Sequence, residues 1–127
     1  MKFHHIGIVS KNINQSIDNL KKIYDVKFIS EILFDENQNA KVCLVETENG
    51  ICIELISGLK VEGLISKGIN IYHICFEVND IYFEINKLVH NGVLLISSPK
   101  PAPLFGNRLV AFLFTETGLI ELLEEKT

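Results

Sequence analysis

Thr115-Glu116-Thr117-Gly118-Leu119-Ile120-Glu121 repeats, with one residue fewer, the earlier stretch Thr47-Glu48-Asn49-Gly50-Ile51-Cys52-Ile53-Glu54. Each stretch joins a turn that ends in glycine to an apolar run that contains one glutamate. Glycine adopts a positive φ at little cost, so each turn predicts a tight hairpin that leads into a strand. Two such stretches in one chain of 127 residues indicate an internal repeat.

A shift of 68 residues aligns the rest of the two halves. His5 then falls on His73, and Asn12 falls on Asp80. Asn and Asp side chains cap helices by accepting a hydrogen bond from a free backbone N–H, so each half predicts a helix that begins at this point. Further matches are Ile17 with Ile85, Leu20 with Leu88, Asn39 with Asn107 and Val42 with Val110.

Each half predicts the element order βαβββ. A first strand, Phe3–Val9 or Tyr72–Val78, precedes a helix whose apolar residues recur at spacings of three and four. These apolar residues are Ile13, Ile17, Leu20 and Tyr24 in the first half and Ile81, Ile85 and Leu88 in the second. The second strand covers residues 26–33 or 93–97, and a polar loop precedes the closing hairpin.

This organisation predicts one α+β domain over residues 1–127. Module one covers residues 1–56, a connector with a short helical turn covers 57–70, and module two covers 71–127. Helices cover one face of each sheet, so we expect the other faces to curve into a half-barrel that encloses a cleft.

Composition limits the functional classes. Hydrophobic residues make up 47% and charged residues 22% of the chain, and no apolar run approaches the roughly 18 residues of a membrane span. A net charge of −4 gives no reason to expect nucleic acid. Residues 1–5 do not resemble a signal peptide, and three cysteines without a Cys-x-x-Cys pair argue against disulfides or a thiolate zinc site. We therefore expect a cytoplasmic protein without nucleic-acid or membrane partners.

Four polar residues interrupt the apolar strands at repeat-equivalent positions: His5, Glu54, His73 and Glu121. Strand alternation places each of them opposite the apolar residues that face the helices. The spacing from histidine to glutamate is 49 residues in the first half and 48 in the second. A divalent cation would offset the cost of burying the carboxylates. We predict that the four residues hold one ion at about 2.0–2.3 Å, and Ni, Co, Zn, Mn or Fe(II) suits this set of nitrogen and oxygen donors.

A family resemblance supports this interpretation. His5-Ile6-Gly7-Ile8-Val9 and residues 73–81, 107–113 and 118–124 resemble the glyoxalase I/methylmalonyl-CoA epimerase branch of the vicinal-oxygen-chelate superfamily, over essentially the whole chain. The resemblance implies a glyoxalase-like fold and a metal that chelates adjacent substrate oxygens. In that chemistry the metal stabilises an enediolate while a carboxylate moves a proton next to a carbonyl.

The same resemblance suggests catalytic residues and a substrate class. Glu54 and Glu121 are the candidate catalytic carboxylates, and which is the stronger base stays open. Epimerases often carry a further glutamate in the loop that corresponds to residues 34–39, where Glu36 could supply it.

A methylmalonyl-CoA epimerase-like enzyme is favoured. The alternatives are a lactoylglutathione lyase (glyoxalase I) and a non-catalytic binding or resistance protein. The expected partners are an acyl-CoA or a glutathione adduct and a second copy in a homodimer.

Residues 98–107 contain Pro99, Pro101 and Pro103, which cannot donate backbone hydrogen bonds. We therefore predict an extended stretch outside the sheet that borders the cleft mouth. Three residues in or beside it are candidate substrate-binding groups, with the two cations suited to an anionic handle: Lys100, Asn107 and Arg108.

Overall fold

The computed structural model describes residues 1–127 as nine strands and three α-helices, which confirms the predicted α+β class. The strands are β1 (Lys2–Val9), β2 (Val26–Ile29), β3 (Leu33–Asp35), β4 (Ala40–Thr47), β5 (Cys52–Ser57), β6 (Ile71–Val78), β7 (Leu94–Ala102), β8 (Arg108–Thr115) and β9 (Gly118–Glu124), and the helices are α1 (Ile13–Ile23), α2 (Leu59–Ser66) and α3 (Ile81–His90). None of the helices is long and apolar enough to span a membrane.

The chain divides into two compact units, which are described separately. The first unit is His5–Tyr72, and the second unit is Met1–His4 together with His73–Thr127. Helix α2 in the first unit confirms the helical turn predicted for the connector at 57–70. The module limits 1–56 and 71–127 stay a prediction.

The first unit has the strand order β2–β4–β5–β1, and β3 also pairs with β4. Strands β4 and β5 form the predicted antiparallel hairpin, and β5 pairs with β1 in parallel. Helix α1 covers one face because its apolar side chains lie on one stripe, as the spacing predicted. The buried core under this helix consists of Ile13, Ile17, Cys43, Val45, Ile53 and Leu55.

The second unit repeats this plan with the strand order β6–β9–β8–β7. Strands β8 and β9 form the antiparallel hairpin, and β9 pairs with β6 in parallel. Its buried core under α3 consists of Val78, Ile81, Ile85, Ala111, Leu113 and Leu122. The predicted order βαβββ is therefore observed without change in the second half of the chain.

Both predicted helix caps are present. The Asn12 side-chain oxygen accepts a hydrogen bond from the Gln15 backbone N–H at 3.0 Å. The Asp80 carboxylate accepts one from the Phe83 N–H at 3.1 Å. Each bond satisfies a donor that the first helical turn leaves without a partner, which is why α1 and α3 begin directly after these residues.

Turn residues repeat between the halves as well. Gly50 and Gly118 have φ angles of 84° and 123° in the two hairpins, as predicted. Asn39 and Asn107, the equivalent residues before β4 and β8, have φ angles of 49° and 64°. Asparagine tolerates this left-handed region better than most residues, so the repeat extends to backbone conformation at these two positions.

The prediction of one continuous strand over residues 26–33 is wrong. Strand β2 ends at Ile29, and β3 begins at Leu33. Ser30 explains the break: its N–H donates to the Leu44 carbonyl at 2.9 Å, but the Leu44 N–H donates to the Ser30 hydroxyl at 2.8 Å. A side chain thus replaces the backbone acceptor, and regular pairing stops there.

The prediction that residues 98–107 lie outside the sheet is also wrong for their first half. Strand β7 extends through both Pro99 and Pro101 to Ala102, where Pro101 pairs with Leu109. Proline is tolerated because β7 is the edge strand, so one side of its backbone has no ladder to complete. Two register shifts between Leu95 and Lys100 accompany the prolines.

Two apolar residues that the sequence patterns place on buried faces are partly exposed instead. Tyr24 is not part of α1 but caps its C-terminus, and its ring is partly exposed. Strand alternation also predicts that Ile74, the neighbour of His73 in β6, faces the helix, but Ile74 is partly exposed. Both residues belong to patterns that are otherwise confirmed, so the periodicity identified the helix and the strand but not the ends of their buried faces.

The caps lead to a stability prediction. Asn12→Ala and Asp80→Ala should each lower the free energy of unfolding by about 1 kcal/mol, because each removes the acceptor for an N–H in the first helical turn. Urea unfolding followed by circular dichroism measures the change. Asn14→Ala is the matched control, since Asn14 is an exposed residue inside α1 and should lose nothing. Equal losses in all three variants would contradict the capping role.

Candidate functional site

The first unit buries a histidine and a glutamate in contact with each other. His5 lies in β1 and Glu54 in β5, and the His5 Nε2 is 3.0 Å from the Glu54 Oε1. The parallel register places Glu54 opposite Gly7, two residues beyond His5 on the same face. The His5 and Glu54 side chains are almost completely buried, at 0% and 1% exposure.

The second unit repeats the arrangement with His73 in β6 and Glu121 in β9. The His73 Nε2 is 3.2 Å from the Glu121 Oε1, and both side chains are again buried. Glu121 pairs with Cys75, which lies two residues beyond His73 just as Gly7 follows His5. The Phe112 ring packs edge-on against His73 with 5.3 Å between centroids. The two contacts are therefore equivalent in register as well as in composition.

Each carboxylate lies on the sheet face opposite the helix. Ile53 and Leu55, the neighbours of Glu54, belong to the core under α1. Leu122, the neighbour of Glu121, belongs to the core under α3, and Ile120 packs against it. The alternation that the sequence predicted is therefore present in both strands.

The donor atoms within each unit fit a divalent cation. Two neighbouring ligands of an octahedral ion, with bonds of about 2.1 Å, lie about 3.0 Å apart. The observed distances between Nε2 and Oε1 are 3.0 and 3.2 Å. Imidazole nitrogen with carboxylate oxygen is a donor set for zinc and for the neighbouring first-row metals. A cation would also offset the cost of burying each carboxylate.

The Cys52 thiol lies on the same sheet face as Glu54 and is affected by the negative charges there. Burial and the negative charges of Glu46 and Glu54 raise the pKa of the Cys52 thiol to about 12. Glu46 is the cross-strand partner of Cys52, so the two side chains share a face with Glu54. The thiol stays protonated near neutral pH, and Glu46 adds a second carboxylate to this face.

The structure gives the three predicted substrate-binding residues different surroundings. Lys100 is exposed on the edge strand β7. Asn107 and Arg108 line an open groove of about 530 Å³ whose other wall is the C-terminal segment 124–127. The Arg108 guanidinium, however, donates to the Glu77 carboxylate at 2.7 Å, so its charge is already paired.

The Glu77–Arg108 ion pair is a feature that the sequence did not reveal. Its hydrogen bond, with a further contribution from the positive charge of Arg108, lowers the pKa of Glu77 below its ordinary value. Arg108 also donates to the carbonyl of Phe105, which holds the start of β8 in place. The only sequence signal was the alternation in β6, which put Glu77 on the same face as His73.

The loop before β4 differs from its prediction. Asp35, expected in a polar loop, is the buried last residue of β3, and its carboxylate accepts hydrogen bonds from the Asn37 N–H and the Gln38 side chain. Glu36 is exposed in the tight turn that follows. The loop is thus organised around Asp35. The suggestion that Glu36 is the further glutamate found in epimerases stays a prediction.

Comparison with known proteins identifies proteins that resemble this chain. Residues 4–112 match the family described as the Glyoxalase/Bleomycin resistance protein/Dioxygenase superfamily. The chain is 29% identical to the mitochondrial methylmalonyl-CoA epimerase of Dictyostelium discoideum, over 98% of this chain and 78% of that protein.

Solved structures share the fold. Methylmalonyl-CoA epimerase from Mycobacterium tuberculosis superposes with a TM-score of 0.83 at 18% identity, covering 99% of this chain and 89% of the other. Methylmalonyl-CoA epimerase from Streptomyces coelicolor, in complex with 2-nitronate-propionyl-CoA, gives a TM-score of 0.75 at 16% identity, covering 100% and 96%. At these identities the likeness concerns the fold, which agrees with the predicted glyoxalase-like class.

The Glu77–Arg108 pair leads to a pH-dependent prediction. Glu77→Gln should lower the free energy of unfolding near pH 7 by about 1 kcal/mol, because it removes a partly buried, charged hydrogen bond. The pKa of Glu77 is lowered in the folded state, so its stabilisation is present above the unfolded pKa and is lost as the pH falls through the folded one.

Urea unfolding near pH 7 and near pH 3 measures this difference between Glu77→Gln and the parent. The gap should be largest near pH 7 and small in acid. Glu116→Gln is the control, because Glu116 is exposed in the hairpin turn. A gap that does not change with pH would show that the ion pair is not its source.

Proposed function

The chain belongs to the glyoxalase/bleomycin resistance protein/dioxygenase superfamily, and from this premise we propose that it is a divalent-metal-dependent enzyme that moves a proton next to a carbonyl, as a methylmalonyl-CoA epimerase does. The observation that carries the proposal is the pair of buried imidazole–carboxylate contacts, one in each repeat. The relatives described above are epimerases, which favours an acyl-CoA substrate over a glutathione adduct.

His5, Glu54, His73 and Glu121 together would hold one metal ion. Each unit alone supplies only two donors, whereas protein sites for these metals use three or four protein ligands, with water or substrate completing the shell. Sharing one ion between the repeats supplies four. When bound, such an ion acts as a Lewis acid that stabilises negative charge on a substrate oxygen.

The two carboxylates would carry the proton. A proton next to a thioester carbonyl is weakly acidic, and a carboxylate held beside that carbon can accept it and later return it. Epimerisation requires removal from one face of the carbon and delivery to the other. Glu54 and Glu121 come from opposite repeats, and we propose that each serves one face of the planar carbanion.

The residues around each carboxylate support this role. The imidazole nitrogens of His5 and His73 contact Glu54 and Glu121 directly, which fixes the position of each carboxylate oxygen. Phe112 packs against His73 and restricts its rotation. The near-complete burial of both glutamates limits competition from water for a transferred proton.

A non-catalytic binding protein of the same fold explains this arrangement less well. Apolar residues of similar size at positions 54 and 121 would stabilise the strands and leave space for a ligand. Two buried carboxylates instead reduce stability unless a cation or a reaction makes use of them.

Exchange of the substrate α-proton tests the proposal. Metal-loaded protein is mixed with one epimer of methylmalonyl-CoA in deuterated water, and both epimerisation and deuterium at the α-carbon are followed. The proposal expects both. Turnover of the methylglyoxal–glutathione hemithioacetal without exchange in the acyl-CoA would identify a lactoylglutathione lyase instead.

Glu121→Gln separates the ligand role from the proton-transfer role. Glutamine keeps the size and one oxygen donor but cannot act as a base. Metal affinity should fall about tenfold, as in other disturbed metal sites. Turnover should fall further, by about 10²–10⁴-fold, which is the usual contribution of general-base catalysis.

Glu54→Gln made in parallel shows which carboxylate is the stronger base. Glu48→Gln is the matched control, since Glu48 is exposed in the hairpin before β5. A fully metallated Glu121→Gln protein with near-normal deuterium exchange would leave Glu121 as a ligand only.

A further inference from the structure

Apolar side chains continue outward from Glu121 on its own face of the sheet. Phe112 lies directly opposite Glu121 across β8 and β9, so the two side chains project to the same side. Phe114 lies two residues further along β8 and therefore shares that face. Its partners on the neighbouring strands are Leu94 in β7 and Leu119 in β9. We call Leu94, Phe112, Phe114 and Leu119 the apolar strip.

The apolar strip runs from the buried centre to the solvent. Phe112 is buried against His73, but Phe114 is 54% exposed and Leu94 is 62% exposed. The edge segment that contributes Leu94 has no charged side chain from residue 91 to residue 99. A continuous, exposed apolar surface of this kind is typical of a binding surface.

The repeat shows that this surface is not a requirement of the fold. The shift of 68 residues places Phe114 on Glu46, and Leu119 corresponds to Cys52 once the one-residue difference in the hairpin is included. Glu46 pairs with Cys52 just as Phe114 pairs with Leu119. The first unit therefore has a carboxylate where the second has an aromatic ring.

We propose that the apolar strip binds an alkyl chain attached to the reacting α-carbon, so that the substrate class extends from methylmalonyl-CoA to α-branched acyl thioesters with an alkyl chain of medium length. The inference takes its ligand class from the proposed function. Its occupant follows from continuity: the strip begins at Phe112, the cross-strand partner of Glu121, which is the proposed proton carrier, so an alkyl chain on the reacting carbon would lie along it.

The length of the strip sets the length of the chain. From β9 to β7 it crosses two strand spacings, or about 10 Å. A medium-length acyl chain matches this distance, and a longer chain would extend past the edge strand into water. Glu46 would disfavour the same chain on the equivalent surface of the first unit, because burying its carboxylate against hydrocarbon is unfavourable.

A series of straight-chain acyl-CoAs tests this inference without requiring turnover. Titration calorimetry gives the Kd of metal-loaded protein for each member from propionyl-CoA to decanoyl-CoA. Complete burial of one methylene changes Kd about fourfold, and contact with one open wall gives roughly twofold per methylene. The Kd should fall along the series and then level off when the strip is filled.

Phe114→Ser should flatten this dependence on chain length, and Leu94→Ser should make it level off at a shorter chain. Both residues are exposed, so neither change removes a core contact. Phe28→Ser is the matched control: Phe28 is 48% exposed beside Glu46 in the first unit, and its loss should leave the dependence unchanged.

A Kd that does not vary with chain length would overturn the inference, as would an unchanged dependence in both strip variants. Sedimentation measurements on the same variants identify a competing occupant. If Phe114→Ser alters self-association but not the dependence on chain length, the strip is an interface between copies and the inference is wrong. A normal dependence without α-proton exchange would support the strip and contradict the proposed function alone.

Discussion

The cost of burying Glu54 and Glu121 is the constraint on which the rest of this molecule depends. A carboxylate between apolar neighbours on a strand loses its hydration, and only a close partner can compensate for the loss. In each unit that partner is an imidazole nitrogen, at 3.0 Å for His5 and 3.2 Å for His73. The parallel pairing of β1 with β5, and of β6 with β9, fixes these contacts because it sets which residues face each other. The helices and hairpins hold those strands in register.

The repeat would allow a short chain to provide the proposed metal site. One βαβββ unit contributes one buried imidazole–carboxylate pair to the proposed centre, which is fewer than the three or four protein ligands of such metal centres. Two copies supply four donors of the right types. The repeat also permits the two units to differ away from the repeated pairs, as Glu46 and Phe114 show. The proposed metal chemistry would use the imidazole–carboxylate pair that both units contain. The choice of substrate would use the side chains that differ between the units, such as Glu46 and Phe114.

Much of the fold and the central residues of the candidate site could be predicted from the sequence, for reasons that are local. Asn12 and Asp80 predict where their helices begin, because capping depends only on a side chain and the next three residues. The four candidate ligands can be recognised because burying a polar residue in an apolar strand costs free energy, and because each has a counterpart in the other repeat. They are His5, Glu54, His73 and Glu121. The strand alternation then predicted the correct face for all four.

What the sequence did not predict depends on contacts between distant segments. The break at Ser30 requires knowing that its hydroxyl meets the Leu44 N–H. Pro99 and Pro101 remain in a strand only because β7 lies at the edge, which is a property of the strand order. The pairing of Glu77 with Arg108 joins residues 31 positions apart, with no repeat-equivalent to reveal it. Local sequence patterns identified the helices, the strands and the candidate metal ligands. Tertiary contacts determined where the strands end and which side chains pair.

The central claim is that the two imidazole–carboxylate pairs share one divalent ion, and metal stoichiometry tests it most directly. Protein freed of metal is titrated with Zn, Mn, Co or Ni, and bound metal per chain is determined by elemental analysis after removal of excess. We expect one ion per chain, and we expect His5→Ala and His73→Ala each to weaken its binding strongly. Two ions per chain, each lost with only one of these substitutions, would show separate sites. No tightly bound ion with any of these metals would contradict the claim altogether.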